Sequence, residues 1–536
     1  MRHSQLILWL GVVYTISVAL SCPVSAADFH VSPQGRSSGN GSISSPWDLA
    51  TALAHPRTVA PGDRIWLHAG VYKGTYLSTL AGNSKSPIIV RPYGNDRVIL
   101  DREGRDSQNR AALTVIGPHV WFWGFEVTNS SQQRVFENAF QDCADREHCR
   151  PPAVTVFGVG VRVINLVIHD TGDGIGLWTP AIDAEAYGNI VFYTGWQSEV
   201  RGNGHSLYIQ NNLGTKRVID NVLFSGFHSG VHFYGSSGSF LRNLYMEGNT
   251  IFNTGLLARD PNGWGILIGG SVRAEDVCLL GNYLYNPAWF TRSNNINPSY
   301  REGAIGVVLR NNYSVGYRAM GADRAPVDFR TSNNTFAGIV DASLLAIIQG
   351  GQNNSISSFQ GRRDKPHEVF IRRNQYEPRK ANITVYNWRG TTSVDLDLSS
   401  LLAFGDMYEI IDIQNYFGQP IRTGAYDGRA ISVPMVSGTG TPVGTVPGNR
   451  YRTDAEFGVF QLRILSGSLL SAEAHRHTVE ETEKAQLGVR GAQMPGGVPI
   501  GEHRGKVQGL PEQSHGSWSG VPVGRLTTGR ACMYDR

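Results

Sequence analysis

The chain of 536 residues contains 63 glycines, and only 17% of it is Asp, Glu, Lys or Arg, against about 7% glycine and about 25% charge in an average soluble protein. No Gly-x-y period is present, which excludes collagen, and 41% hydrophobic with 10% aromatic residues exclude a solvating, disordered polymer. The formal net charge of +4 comes without a cluster of Lys and Arg between the chain ends, so no nucleic-acid partner is expected.

At the amino terminus Arg2 and His3 precede an apolar run from Leu6 to Leu20, followed by Val24-Ser-Ala-Ala27. The run is too short for a membrane span, and the small residues after it suit a signal peptidase. Residues 1–27 are therefore expected to be a cleaved secretory signal, and the mature protein to be secreted or periplasmic, with no transmembrane segment. Cys143 and Cys149 flank a short polar stretch, which in an oxidising compartment predicts a local disulfide. Cys278 lies in the apolar run Val277 to Leu280 and reads as a buried small hydrophobe.

The middle of the chain repeats. Asn followed by a short apolar strand recurs at Asn165, Asn189, Asn221, Asn249, Asn282, Asn312 and Asn334, every 22 to 33 residues. After several of these comes a second alternating strand, as in Gly174-Ile-Gly-Leu-Trp, Ser206-Leu-Tyr-Ile-Gln, Gly230-Val-His-Phe-Tyr and Gly265-Ile-Leu-Ile-Gly. Short strands with Gly or Asn at each corner, and no helical period, describe the coils of an all-β parallel β-helix. Glycine accepts the corner dihedrals, and an Asn amide can stack on the Asn of the next coil. Gly174, Gly204, Gly230 and Gly265 are expected at equivalent places in successive coils.

The entry segment Phe29-His-Val-Ser-Pro-Gln-Gly, with Ser45-Pro-Trp, Pro61-Gly-Asp-Arg-Ile-Trp-Leu and Ala69-Gly-Val-Tyr, resembles that of secreted right-handed parallel β-helix proteins of the pectate-lyase-like superfamily. The resemblance covers about residues 28–375. It implies a right-handed solenoid and a polysaccharide or oligosaccharide partner, in a group that holds chondroitinase B-like and alginate lyases, uronan epimerases and glycosidases. It implies calcium as well, as a cofactor common among its lyases. Those lyases often use Lys or Arg as base, yet the only lysine between 160 and 340 is Lys216, read as a solvated loop residue, so no base transfers.

Alternating strands at Ile383, Val394, Tyr408, Ala430 and Gly458, separated by glycine-rich turns, predict a small antiparallel β-sandwich over 381–466. It is expected to cap the end of the solenoid, with carbohydrate binding as the other role. From 467 to 536 apolar periodicity stops, which predicts a disordered tail. A monomer is expected.

Aligning the second strands by their apolar positions makes Ile175, Leu207 and Val231 inward, as are Leu177, Ile209 and Phe233. One outward column then holds Gly176, Tyr208, His232 and Leu267, and the next Trp178, Gln210, Tyr234 and Gly269. A corner column holds Asp173, His205, Ser229 and Trp264, with inward parity unless the chain bends there. Flanking loops add His169, Asp170, Glu199, Arg201 and His228.

Aromatic faces bind sugar rings, Gln and Arg orient hydroxyls and carboxylates, and His or Tyr moves protons. β-Elimination from a uronate would use His205 or His232 as base, Tyr208 as acid, and Arg201 with Gln210 against the carboxylate. Glycoside hydrolysis would use Asp170 and Asp173, with Glu199 or Asp183 in reserve. Trp178, His228, Tyr234 and Trp264 would then contact substrate in either case. A third reading is a carbohydrate-binding protein without activity.

Overall fold

A computed structural model describes residues 26–466, apart from 105–109, 139–142, 144–148, 363, 437, 449–451 and 454. The expected signal segment up to residue 25 and the expected tail from 467 lie outside the described residues.

The chain winds through three parallel sheets in turn. Its first sheet has 11 strands, from Asp28–Val31 to Val327–Ser332; the second has 11, from Gly70–Lys73 to Ser355–Ser357; the third has 8, from Tyr76–Ser78 to Ser293–Arg301. One coil runs Glu185–Tyr187, Ile190–Phe192 and His205–Ile209 before Lys216–Ile219 re-enters the first sheet. Each strand pairs with its equivalents one coil away, so a single coil satisfies its backbone only through its neighbours.

Inward side chains stack as the two-residue period demands. Ile175 pairs with Leu207, Leu207 with Val231 and Val231 with Ile266, and all four are fully buried in one continuous core. The core is sealed at the amino-terminal end by helix Leu49–Leu53, whose Leu49, Ala52 and Leu53 enter it, and near the other end by Leu344 and Ile348 of helix Ala342–Gly350.

The corner between the first and second sheets carries a ladder of asparagines. The backbone N and the Nδ2 of Asn189 both donate to Asn221 Oδ1 at 2.9 Å, and the same pair of bonds repeats from Asn221 to Asn249, Asn282, Asn312, Asn334 and Asn354. The residue before each rung adopts positive φ: Gly188, Asp220, Gly248, Gly281, Asn311, Asn333 and Asn353. Asn165 is not a rung, contrary to the sequence reading. It takes the left-handed position itself (φ 51°), while Leu166 occupies the rung and donates its N to Asn189 Oδ1. The ladder therefore begins at Asn189 and reaches Asn354.

The glycine column also needs correcting. Gly174, Gly230 and Gly265 are in register with Ser206, not Gly204. A Cβ on Gly174 would stand 2.3 Å from Ser206 O, and one on Gly230 2.6 Å from Gly265 O, so these two glycine positions are closed to larger side chains by backbone contact. Gly204 has a different task, a φ of 96° ahead of His205.

After the solenoid comes a five-stranded antiparallel sheet in the order Glu368–Arg373, Lys380–Tyr386, Phe457–Ser466, Met407–Asp412, Arg422–Ala425, with a two-stranded partner, Ser393–Leu396 and Ile431–Pro434. Its core holds Ile383, Val385, Leu396, Ile410, Val433, Phe460 and Leu462. It starts 13 residues before the expected 381, because Glu368–Arg373 pairs with Lys380–Tyr386. This unit does not cap the end of the solenoid. It lies along the outward side of the second sheet, where Tyr283 stacks on Phe370 at 4.4 Å and Tyr285 on Phe457 at 4.5 Å. Arg372 reaches across to Asp220 and Glu247 at 2.7 and 3.0 Å, and Tyr386 Oη donates to the carbonyls of Leu284 and Tyr313. The aromatic ladder Phe192, Phe224, Phe252 on the second sheet is apolar, and only a packed partner removes it from water.

Removing one rung orphans two buried donors, each costing about 1–3 kcal/mol. Asn249→Ala strips the backbone N and Nδ2 of Asn221 of their acceptor, and is expected to lower stability by about 3 kcal/mol, read as a lower urea midpoint. An unchanged midpoint would show that the rung's hydrogen bonds add nothing to stability.

Candidate functional site

The outward face of the third sheet holds the expected patch. Tyr208 pairs with Gly176 on one side and His232 on the other, and His232 with Leu267. The corner residues join them because the chain bends at the Gly174, Ser206, Gly230 column, where a Cβ on Gly174 or Gly230 would meet the core residues Val191 or Ile251: His205 leaves the inward parity and stacks on His232, with ring centroids 4.4 Å apart, and lies 5.6 Å from the ring of Tyr208.

Asp173 fixes His205. Its Oδ1 accepts from His205 N at 2.6 Å and lies 3.1 Å from His205 Nδ1, a geometry in which Nδ1 carries the proton and Nε2 keeps its lone pair. His228 is buried, 2.9 Å from Ser229 Oγ through its Nδ1, and packs edge-on against His205 and Trp264. Burial first, then the charges of His205 and Arg201, hold His228 well below the ordinary histidine range; for His232 burial acts with His205, His228 and Arg201. Both imidazoles are neutral at pH 7, and the occluded Nδ1 of His232 has no hydrogen-bond partner.

Beside the histidines runs an aromatic shelf. Trp178 stacks on Phe157 at 6.2 Å and tilts against Tyr208 at 5.3 Å, while Tyr234 stacks on His232 at 4.6 Å. Gln210 Nε2 donates to Tyr208 Oη at 3.4 Å and Gln210 Oε1 accepts from Thr179. Exposed Arg201 stands on the histidine side, within electrostatic reach of His228 and His232.

Phe157, Tyr300 and Arg301 belong to the patch and escaped the sequence reading. Phe157 follows Val154–Val156, and extending the register one coil back from Trp178 finds it. Tyr300 is hidden by a register shift between Leu267 and Gly269, which pairs Gly269 with Tyr300; a fixed period cannot anticipate such a bulge.

Four other residues lie elsewhere. Both Asp170 oxygens are engaged in a buried network: Oδ1 accepts from Arg134 and from Val443 N, and Oδ2 faces His169 Nδ1 at 2.8 Å. That corrects the pairing of Asp170 with Asp173 as two available carboxyls. His169 bridges Asp170 and Glu126 beneath Phe192 rather than flanking the patch. Lys216 is fully buried, not solvated, with Nζ donating to Ala181 O and Asn211 Oδ1, and burial brings its pKa down to about 7. Asp183 accepts from Thr215 N in a loop. The expected disulfide Cys143–Cys149 is present, packed with Phe136 and Trp196.

Calcium seeks six to eight oxygen ligands. Among the described residues no group of three or more His, Cys, Asp or Glu is arranged to hold a metal, and the patch offers imidazole, phenol and amide while Asp173 holds His205. These residues do not fit calcium, and no chemistry is derived through it.

The three parallel sheets, wound coil after coil, make the chain a parallel β-helix protein with the face of the third sheet open. No family model matches it. It is similar to the pectate lyase PEL9 of Emericella nidulans, 29% identical over 134 residues, which are 22% of this chain and 32% of that protein; the match spans about a third of the length of that curated relative. Among solved structures it is similar to the pectate lyase Pel9A (19% identity, 63% of this chain and 78% of that one, TM-score 0.38) and to a lacto-N-biosidase from Eubacterium ramulus (13%, 62% and 68%, TM-score 0.41). Among the described residues no helix is long and apolar enough to cross a membrane.

The buried network makes stability depend on pH. Burial opposes the charge on His169, but Asp170 and Glu126 override it and raise its pKa to about 9. Its contribution, roughly 3 kcal/mol from a shift of this size, is fully present below the unfolded value of 6.5 and is lost as pH rises through about 9. Lys216 acts oppositely over pH 7 to 10.5, so the difference between proteins is the measure. Melting of the unaltered protein minus that of His169→Gln should shrink between pH 6 and 10; a constant difference would show His169 to be uncharged.

Proposed function

We propose that the protein is an exported polysaccharide lyase that cleaves a uronate-containing glycan by β-elimination. The observation that carries this reading is the cluster of Asp173, His205, His232 and Tyr208 on an open, aromatic sheet face. Similarity to a pectate lyase over part of the chain supports the same reaction class.

The steps follow from the groups present. Trp178, Tyr234 and Trp264 offer faces to the apolar sides of sugar rings. Arg201 neutralises the uronate carboxylate, which acidifies the C5–H bond. His205 Nε2, aimed outward by the Asp173 contact at Nδ1, takes the C5 proton. The C5–H electrons form the C4=C5 double bond as the C4–O bond breaks, and Tyr208 Oη, oriented by Gln210, gives its proton to the departing oxygen. His232 stays neutral beside His205, so the imidazolium formed there meets no second positive charge in its stack.

Hydrolysis would require two available carboxyl groups, and Asp170 is committed to Arg134, His169 and Val443. Elimination needs only the one carboxylate that holds His205.

Incubation with polygalacturonate, alginate and chondroitin should release product with the ultraviolet absorbance of an unsaturated uronate. The His205→Ala, His232→Ala double variant is expected to lose about 10²–10⁴-fold in kcat/KM, the range for losing a general base. Asp173→Asn should lower kcat more than it raises KM. Full activity in the double variant overturns the assignment; reducing ends without the absorbance favour hydrolysis, and binding without either favours a non-catalytic role.

A further inference from the structure

Past Tyr234 the chain turns from the third sheet towards the first, and loops of successive coils there enclose a cleft of about 620 Å³. Its walls include Phe240, Arg242, Arg273, Glu275, Glu302 and Arg324. Arg242 is held by Glu275 at 3.1 Å. Arg273 and Arg324 make no hydrogen bond or ion pair among the described residues, so three guanidinium groups face two carboxylates, one of them already engaged. Gathering like charges in one cleft is unfavourable without a counter-charge, and the guanidinium fork matches planar or tetrahedral oxyanions.

The cleft adjoins the patch through specific residues. Ser239 lines it and its Oγ accepts from Gln210 Nε2 at 3.4 Å. Arg301, next to Glu302, stands over Tyr300 at 5.2 Å with Nη1 3.5 Å from Tyr234 Oη. Phe240, 40% exposed, offers a ring face inside the cleft. From His205 the ring stack runs to His232 at 4.4 Å and on to Tyr234 at 4.6 Å. The cleft opens beyond Tyr234, so a sugar further along the glycan chain can reach it while another occupies the place at His205.

We infer that this cleft is a remote subsite for the anionic substituent, carboxylate or sulfate ester, of a sugar further along the same glycan chain, with Arg273 and Arg324 as its ligands and Phe240 as its floor. The inference rests on the reading of the third-sheet face as a glycan groove and adds to it the charge of the glycan and the place where length is read. It predicts that a long acidic polymer is held more tightly than a short fragment, and that this surplus is weakened by salt.

The test measures binding, not turnover, so that it stands apart from the lyase assignment. Isothermal titration of the full chain with long polygalacturonate, chondroitin sulfate and neutral xylan should show the two acidic polymers bound and their affinity falling with salt. The Arg273→Gln, Arg324→Gln variant should bind the preferred acidic polymer about tenfold more weakly, with a shallower salt dependence, while xylan binding and melting temperature stay unchanged. The acidic polymer that loses more names the substituent. Equal affinity and salt dependence in the variant overturn the subsite, as does failure of the unaltered protein to bind either acidic polymer. If the variant loses affinity but no polymer is ever cleaved, the subsite stands and the lyase reading fails.

Discussion

The asparagine ladder from Asn189 to Asn354 is the constraint on which the rest of the molecule depends. Each rung spends one side-chain oxygen on two donors of the coil before it and returns its own Nδ2 to the chain, as Asn249 does towards Val218 and Asn282. A turn buried between two sheets has backbone groups that neither sheet can pair, and the ladder pairs them in the same way in the coils from Asn189 to Asn354. Because the rung must follow a left-handed residue, the corner is fixed in both geometry and register. With that corner fixed, the strand after it starts in phase, and inward and outward faces stay separate over the length of the solenoid.

Phase determines which faces are available. The second sheet presents an outward aromatic stack that is covered by the antiparallel unit through Tyr386, Phe370 and Phe457. Part of the first sheet's outward face is closed over Ile164, Tyr187, Ile219 and Tyr245, with Tyr376 packed against them. The third sheet keeps its histidines, tyrosines and tryptophans partly open. The proposed site lies there, on the face that the remainder of the chain leaves uncovered.

The same low-polarity surroundings act in opposite senses on two groups of histidines. His169 is buried between two carboxylates, and those charges hold its proton. His228, buried, and His232, half-buried, stand among other imidazoles without a carboxylate in contact, and lose theirs. Of the three histidines on the third-sheet face, His205, part-exposed and tied to Asp173, has a carboxylate partner for the positive charge it would acquire on taking a proton. Burial alone therefore does not divide structural from chemical histidines; the sign of the neighbouring charge does.

The sequence by itself determined the repeat, the parallel β-solenoid, the inward and outward columns and the disulfide, because these follow from a two-residue period and from corner residues whose types are dictated locally; the number of sheets came from the structure. It also placed Tyr208, His232 and their neighbours correctly, since they sit in regular strand. What only the tertiary structure decided begins where that period ends. The bend at the Gly174, Ser206, Gly230 column turned His205 outward, and the bulge at Gly269 brought in Tyr300. A guanidinium from Arg134, 36 residues away, claimed Asp170, and the antiparallel unit came to rest along the second sheet instead of across the end of the solenoid. For Tyr300, Asp170 and the antiparallel unit the deciding partner is distant in sequence, and a local pattern carries no record of which groups a fold will bury together.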